Sequence, residues 1–267
     1  MPKKNPSTRN PADPELPDWL WSRTQQWFTR SRRLLLLGLS GLQATGKSTL
    51  AQALVDRATA QGIAAVALSL DDFYLTRRER RVLAHEVHPL LLTRGVPGTH
   101  DLRLLQATLH ALARASPRKP ARVPRFDKAR DTRRPPSKWP RFAQSPRLIV
   151  LEGWCLGLTP QSRVALRAPV NSLEAREDLD AVWRAWVNDR LRDYEPLWRH
   201  VHKLVVLRAP HWQVIRRWRG EAEVKLRSRH RQHLRTMDSA ALRRFLRHYE
   251  RLSRHALATL PATPDRR

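Results

Sequence analysis

The sequence predicts an α/β protein in three layers, with a mostly parallel sheet and helices on both of its faces. Three observations carry that expectation. Leu34-Leu35-Leu36-Leu37-Gly38-Leu39 is an apolar run followed by the small residues Ser40 and Gly41, the pattern of a strand buried on both sides. Residues 48–61 then read as a helix and residues 63–70 as a second apolar strand, so that strand, helix and strand form one βαβ unit. Two further runs, at residues 147–151 and 203–207, have the same buried-strand character.

The remaining elements follow in chain order. Residues 1–15 carry four prolines and no periodicity, and are expected to form a flexible arm before a single domain over residues 16–267. Trp19, Leu20, Trp27 and Phe28 share one helical face within residues 18–30, which predicts a docking helix. Leu102, Leu104, Leu105, Leu109 and Leu112 recur at helical spacing within residues 101–114, with a cap at residues 99–101. Residues 116–146 are rich in Pro, Arg and Lys and lack periodicity, so they read as a long loop, functional or disordered. Residues 179–201 read as helical with a break at Pro196, and residues 211–230 and 239–260 as two basic helices.

Composition narrows the function classes. The chain of 267 residues can bury one sizeable core. Its apolar runs fall far short of the ~20 residues a membrane span needs, and the polar, proline-rich start does not resemble a secretory leader. The single cysteine, Cys155, excludes an internal disulfide and a multi-cysteine metal site, and fits a reducing, cytoplasmic location. The net charge is +27, yet 43 of the 51 basic residues are arginine and they are spread along the whole chain. With no compact basic tail and no stacking-aromatic motif, this charge reads as a solvated surface that attracts small anions. Nucleic acid is not expected as a specific partner.

Gly41-Leu42-Gln43-Ala44-Thr45-Gly46-Lys47-Ser48-Thr49 matches G-x-x-x-x-G-K-[ST] between a predicted strand and a predicted helix. Its glycines let backbone N–H groups close on phosphate oxygens, and the following helix N-terminus favours an anion. This is the phosphate-binding loop of the P-loop NTPase fold. Gly41, Thr45, Gly46, Lys47, Ser48 and Thr49 are therefore expected to bind ATP, with Lys47 at the β- and γ-phosphates and Ser48 on Mg²⁺.

In open α/β sheets ligands bind beyond the carboxyl ends of the strands. Two acidic groups fall there: Asp71-Asp72-Phe73-Tyr74 after the second strand, and Glu152-Gly153-Trp154 after the third. Phosphoryl transfer to an alcohol needs one carboxylate to orient the hydroxyl and accept its proton, and others to hold the metal. Glu152 is expected to serve the metal together with Ser48.

Together with the phosphate loop, the segments Asp71–Leu75, Arg94-Gly95-Val96-Pro97-Gly98-Thr99-His100-Asp101, Arg125-Phe126-Asp127-Lys128 and Glu152-Gly153-Trp154 resemble D-glycerate 3-kinase of the plant and fungal type. They look especially like its bacterial kinase-like relatives, within the P-loop kinases that include uridine kinase, phosphoribulokinase and pantothenate kinase. The resemblance runs over most of the chain, and the second and third of these segments are its most specific parts. It implies an ATP-dependent, Mg²⁺-requiring small-molecule kinase with Asp71 as general base and with Lys47 and Glu152 beside it in catalysis. It also implies acceptor contacts from Asp72, Tyr74, His100, Asp101, Lys128 and Arg133. Of Arg216, Arg217 and Arg219, which open a helix at the place of a nucleotide lid, Arg217 is taken as the nucleotide contact. The acceptor implied is a small hydroxy acid, D-glycerate foremost.

Two departures are visible. The loop after Phe126-Asp127-Lys128 is short, Ala129-Arg130-Asp131-Thr132-Arg133, where the plant type has a longer, glycine-rich one; this bears on the acceptor. The chain also runs from Leu260-Pro261 into a short polar tail where family members add an apolar strand. Other acceptors on the same fold, a nucleoside or a pantothenate-like alcohol, remain open, as does a nucleotide-binding regulatory or nucleic-acid-associated NTPase. Cys155 reads as a buried or lining thiol rather than a nucleophile, Trp183, Trp186 and Tyr194 as core, and the remaining histidines, His202 and His248 among them, as surface residues.

Overall fold

The computed structural model describes residues 15–31, 33–229 and 238–260. The expected N-terminal arm lies outside the described residues, apart from Glu15. In chain order the elements are α1 (Leu16–Arg30), β1 (Leu35–Gly41), α2 (Lys47–Ala60), β2 (Ala65–Ser69), α3 (Arg77–Glu86) and α4 (Leu102–Ala113). There follow the short strands β3 (Ala121–Arg122), β4 (Phe126–Asp127), β5 (Thr132–Arg133) and β6 (Arg141–Phe142), and then β7 (Leu148–Gly153). The last part comprises α5 (Ser172–Glu177), α6 (Val182–Arg190), α7 (Glu195–Trp198), β8 (Lys203–Leu207), α8 (Trp212–Arg229) and α9 (Ser239–Thr259).

The main sheet has the order β2-β7-β1-β8 and all its pairings are parallel. Every residue of β1 and β7 is buried, which is why these strands read as unbroken apolar runs rather than as alternating ones. The pleat nevertheless sorts them. Leu35, Leu37 and Leu39 of β1, with Leu148 and Val150 of β7, pack with α1 and α2. Leu36, Ile149 and Leu151 face the other core, which α4, α6 and α9 complete. The three layers follow from this sorting. The register pairs Leu39 of β1 and Ser69 of β2 with Glu152 of β7, so the carboxyl ends of three strands finish at one level.

Several expectations are corrected. Residues 77–86 form a helix without a sequence period to mark it, because Arg77-Arg78-Glu79-Arg80-Arg81 shows almost no apolar spacing. Thr76 and Glu79 close it with a reciprocal capping box, a signal that was present in the sequence. The long loop is ordered by two small antiparallel ladders, β3 with β6 and β4 with β5. Residues 179–201 are broken, as expected, but before Pro196: α6 gives way to a 3₁₀ turn over Leu191–Tyr194, and Pro196 sits in the first turn of α7, where a proline is tolerated. The last helix is not merely a solvated face. Arg251 is buried, and it donates to the fully buried Glu174 at 2.9 and 2.7 Å and to the carbonyls of Ala165 and Ala168. His248, expected at the surface, is buried as well, whereas His202 is exposed as expected, its Nδ1 accepting from Leu36 N at 2.9 Å.

Candidate active site

The phosphate loop takes its shape from two left-handed residues. Ala44 has φ 61° and Gly46 has φ 83°, and Gly46 stands directly before α2. Gly46 adopts this conformation freely because it has no Cβ, whereas Ala44 holds it at a cost of roughly 1 kcal/mol that the rest of the loop must offset. Thr45 Oγ1 donates to Leu42 O at 2.8 Å and locks the turn from within. Lys47 is buried in the first turn of α2, and its ammonium folds back to donate to Leu42 O at 2.8 Å. Burial lowers the pKa of Lys47, while Glu152 and then Asp71 oppose that shift. The neighbouring Ser48 Oγ donates to Glu152 Oε1 at 2.9 Å.

The 3₁₀ turn that follows β2, Leu70–Phe73, delivers Asp71 to the same place. Lys47, Ser48, Asp71, Tyr74, Lys128 and Glu152 line one cavity of about 280 Å³. Tyr74 Oη donates to Asp71 Oδ1 at 2.6 Å, and Lys128 Nζ donates to Asp71 Oδ2 at 2.7 Å. Burial alone would push the Asp71 carboxyl up. The Lys128 charge and hydrogen bond, together with the Tyr74 hydroxyl, outweigh it and hold Asp71 well below the usual carboxylate range.

Other expected site residues sit elsewhere. Asp72 turns from the cavity and accepts from Phe126 N at 2.9 Å and from Arg125 at 3.2 Å, so it anchors β4 rather than a ligand. Asp101 caps α4 through Leu104 N at 2.9 Å and pairs with Arg133 at 3.1 Å. Arg133 also donates to Tyr74 O at 3.3 Å, which turns its charge inward and away from the cavity. His100 is buried behind Tyr74, with its Nδ1 2.7 Å from Tyr194 Oη, and it borders a second cavity that also meets Asp101. Burial lowers the pKa of His100 to about 4. Thr49 is exposed in the first turn of α2, outside the cavity wall. Arg217 projects into solvent, 3.7 Å from Glu221; Arg219, two positions on and on another face of α8, lines the cavity instead.

Sequence reasoning missed several walls. Arg94 faces the cavity and pairs with Asp131 at the β4–β5 turn. Tyr249 and Phe245 close it from α9, and Gln43 brings a side-chain amide whose buried atoms have no hydrogen-bond partner in the structure. Gly95 explains how these pieces meet. It has φ 114°, and a Cβ there would lie 1.9 Å from Tyr249 Oη. Its absence lets Tyr249 Oη reach Arg94 O at 2.8 Å, while Trp154 Nε1 donates to Gly95 O at 2.8 Å. Trp154 is thereby spent on fixing this turn and Tyr249, whose ring stands 5.1 Å away. Burial pushes the Cys155 thiol far up, which keeps it un-ionised and inert.

No protein-family model matches the chain. An uncharacterized kinase of Schizosaccharomyces pombe is 34% identical over 204 residues, covering 74% of this chain and 73% of the relative. The chloroplastic D-glycerate 3-kinase of Arabidopsis thaliana is 31% identical over 201 residues, 72% of this chain but only 42% of the longer plant protein. Among solved structures, D-glycerate 3-kinase from Cryptococcus neoformans superposes with a TM-score of 0.75 at 23% identity, covering 89% of this chain and 87% of that one. The last likeness establishes the α/β fold expected from the sequence.

Proposed function

The chain belongs to the P-loop kinase family that includes D-glycerate 3-kinase, and we propose that it transfers the γ-phosphoryl group of ATP to a hydroxyl of a small hydroxy acid, D-glycerate foremost. The observation that carries this reading is the meeting of Asp71 with Lys47, Lys128 and the Ser48–Glu152 pair in one cavity. The acceptor hydroxyl gives its proton to Asp71 as its oxygen bonds to the γ-phosphorus. The bond from that phosphorus to the β–γ bridging oxygen breaks, and its electrons leave with ADP. Lys47 and Arg219 present positive charge where negative charge develops on the phosphoryl oxygens. Lys128 and Arg94 hold the acceptor carboxylate, which a glycerate-like acid brings and a neutral polyol lacks.

Ser48 and Glu152 present two oxygens 2.9 Å apart beside the phosphate loop, a donor set suited to Mg²⁺, which takes one or two protein oxygens and completes its shell with phosphate and water. When bound there, the ion would neutralise charge on the β- and γ-phosphates.

Coupled ADP release tests the reading, with Mg·ATP and a panel of hydroxy acids, nucleosides and polyols. D-Glycerate is expected to raise the rate most. Asp71→Asn should cost roughly 10²–10⁴-fold in kcat, and Lys47→Ala about 10²–10³-fold. Full phosphoryl transfer by Asp71→Asn would remove the base from its role, and a panel in which only nucleosides respond would move the acceptor to another class.

A further inference from the structure

We propose that Lys128 is a latch on the catalytic base: it occupies Asp71 until the carboxylate of the acceptor draws it away, so that binding an acid and freeing the base are one event. The proposal rests on the kinase reading above and deepens it, because it makes the acceptor's negative charge a condition for catalysis.

Both oxygens of Asp71 are engaged, Oδ1 by Tyr74 and Oδ2 by Lys128. The two partners differ in freedom. Tyr74 is buried, with its ring 4.8 Å from His100 and 5.3 Å from Phe126, and it cannot leave. The Lys128 side chain is 61% exposed. An ion pair with so exposed a partner is weak, and an incoming carboxylate can compete for it. The backbone beneath Lys128 is held firmly. Asp127 Oδ1 accepts from the N–H groups of Ala129 and Arg130 at 3.1 Å each, and Asp131 is gripped by Arg80 at 2.7 Å and by Arg94. The turn is therefore rigid, and the flexible four-carbon stem of the lysine is the part that moves. Arg94, on the same wall, supplies a second cation for the arriving carboxylate. While the latch is closed Asp71 is a poor proton acceptor, and water that reaches the γ-phosphate is not activated. Once it opens, Oδ2 accepts the proton of the acceptor hydroxyl.

The test uses ATP hydrolysis without phosphorylatable acceptor, in which water replaces the hydroxyl, its proton goes to Asp71 and inorganic phosphate is released. D-Lactate is the probe, since it keeps the carboxylate of D-glycerate but lacks the C3 hydroxyl; glycerol, which keeps the hydroxyls and lacks the carboxylate, is its counterpart. D-Lactate should raise wild-type hydrolysis by roughly fivefold or more and glycerol should not, a modest part of what general-base assistance can supply. Lys128→Met should hydrolyse ATP faster than wild type with no additive and ignore D-lactate, and the added Asp71→Asn change should abolish that gain. Hydrolysis by Lys128→Met at or below the wild-type rate, or a wild type indifferent to D-lactate, overturns the latch even if D-glycerate is phosphorylated. A response to D-lactate that requires Lys128, in a protein that leaves D-glycerate unphosphorylated, upholds the latch and instead overturns the choice of acceptor.

Discussion

The two halves of the cavity are built by different means. The side we assign to phosphate is built around nine consecutive residues, Gly41 to Thr49, whose shape comes from the backbone at Ala44 and Gly46 and from the start of α2, with Glu152 and Arg219 added to it. The side we assign to the acceptor is assembled from side chains on separate segments: Asp71 and Tyr74 after β2, Arg94 before Gly95, Lys128 on the β4–β5 turn, and Tyr249 on α9. The first depends on local conformation and the second on the packing of distant parts. Substitutions that loosen packing should therefore damage acceptor recognition while sparing the nucleotide.

Gly95→Ala should test that separation most forcefully. The new methyl would meet Tyr249 at a backbone angle that disfavours any side chain, and a loss on the order of 3 kcal/mol in stability is expected. Denaturant unfolding measures the loss. Calorimetric titration of the folded variant should show weakened acceptor binding with ATP affinity little changed; an equal loss of both would mean that the halves are one unit.

Acid should weaken the same half. His100, behind Tyr74, and His248, in α9, are buried and neutral, with pKa values lowered by burial to about 4. The unfolded chain protonates both near 6.5, so it binds more protons than the native state between about pH 6.5 and 4. The stability these two histidines contribute therefore falls as pH drops through that window, by up to about 3 kcal/mol for each, and their share of the loss is complete below it. Thermal unfolding across this range should show the decline, and His100→Gln should flatten part of it. An unchanged slope in that variant would mean that His100 does not carry the effect.

The smallest effect sharpens the phosphate side. Arg219→Ala should lower kcat roughly tenfold, or about 1.4 kcal/mol, whereas Arg217→Ala, exposed beside Glu221, should stay within about twofold. Steady-state kinetics of the two variants decide it, and the reverse order would restore Arg217 to the nucleotide.

What was legible in the sequence divides along the same line. The strands β1, β2, β7 and β8 read as apolar runs because parallel strands are buried on both faces, and the phosphate loop read as a motif because it is contiguous. Helix α3 did not read, since its arginines hide its period, and Arg80 is buried there by its pairing with Asp131. Asp72 and Arg133 carried the right chemistry for a substrate site. Their partners, Phe126, Arg125 and Asp101, are chosen by tertiary packing, and those partners consume them.

By itself, then, the sequence determined the βαβ core, the phosphate loop and the two strand-end acids Asp71 and Glu152, because each depends on residues adjacent in the chain and on the period of a buried strand. Apart from Lys47, which the motif places, only the tertiary structure decided which cations face the cavity. Arg94, Lys128 and Arg219 do so, whereas Arg133 and Arg217 do not. In a chain with 51 basic residues, type and spacing alone cannot choose among them. The choice is made where a helix face turns, where Asp101 claims Arg133, and where Gly95 makes room for Tyr249 to close the wall.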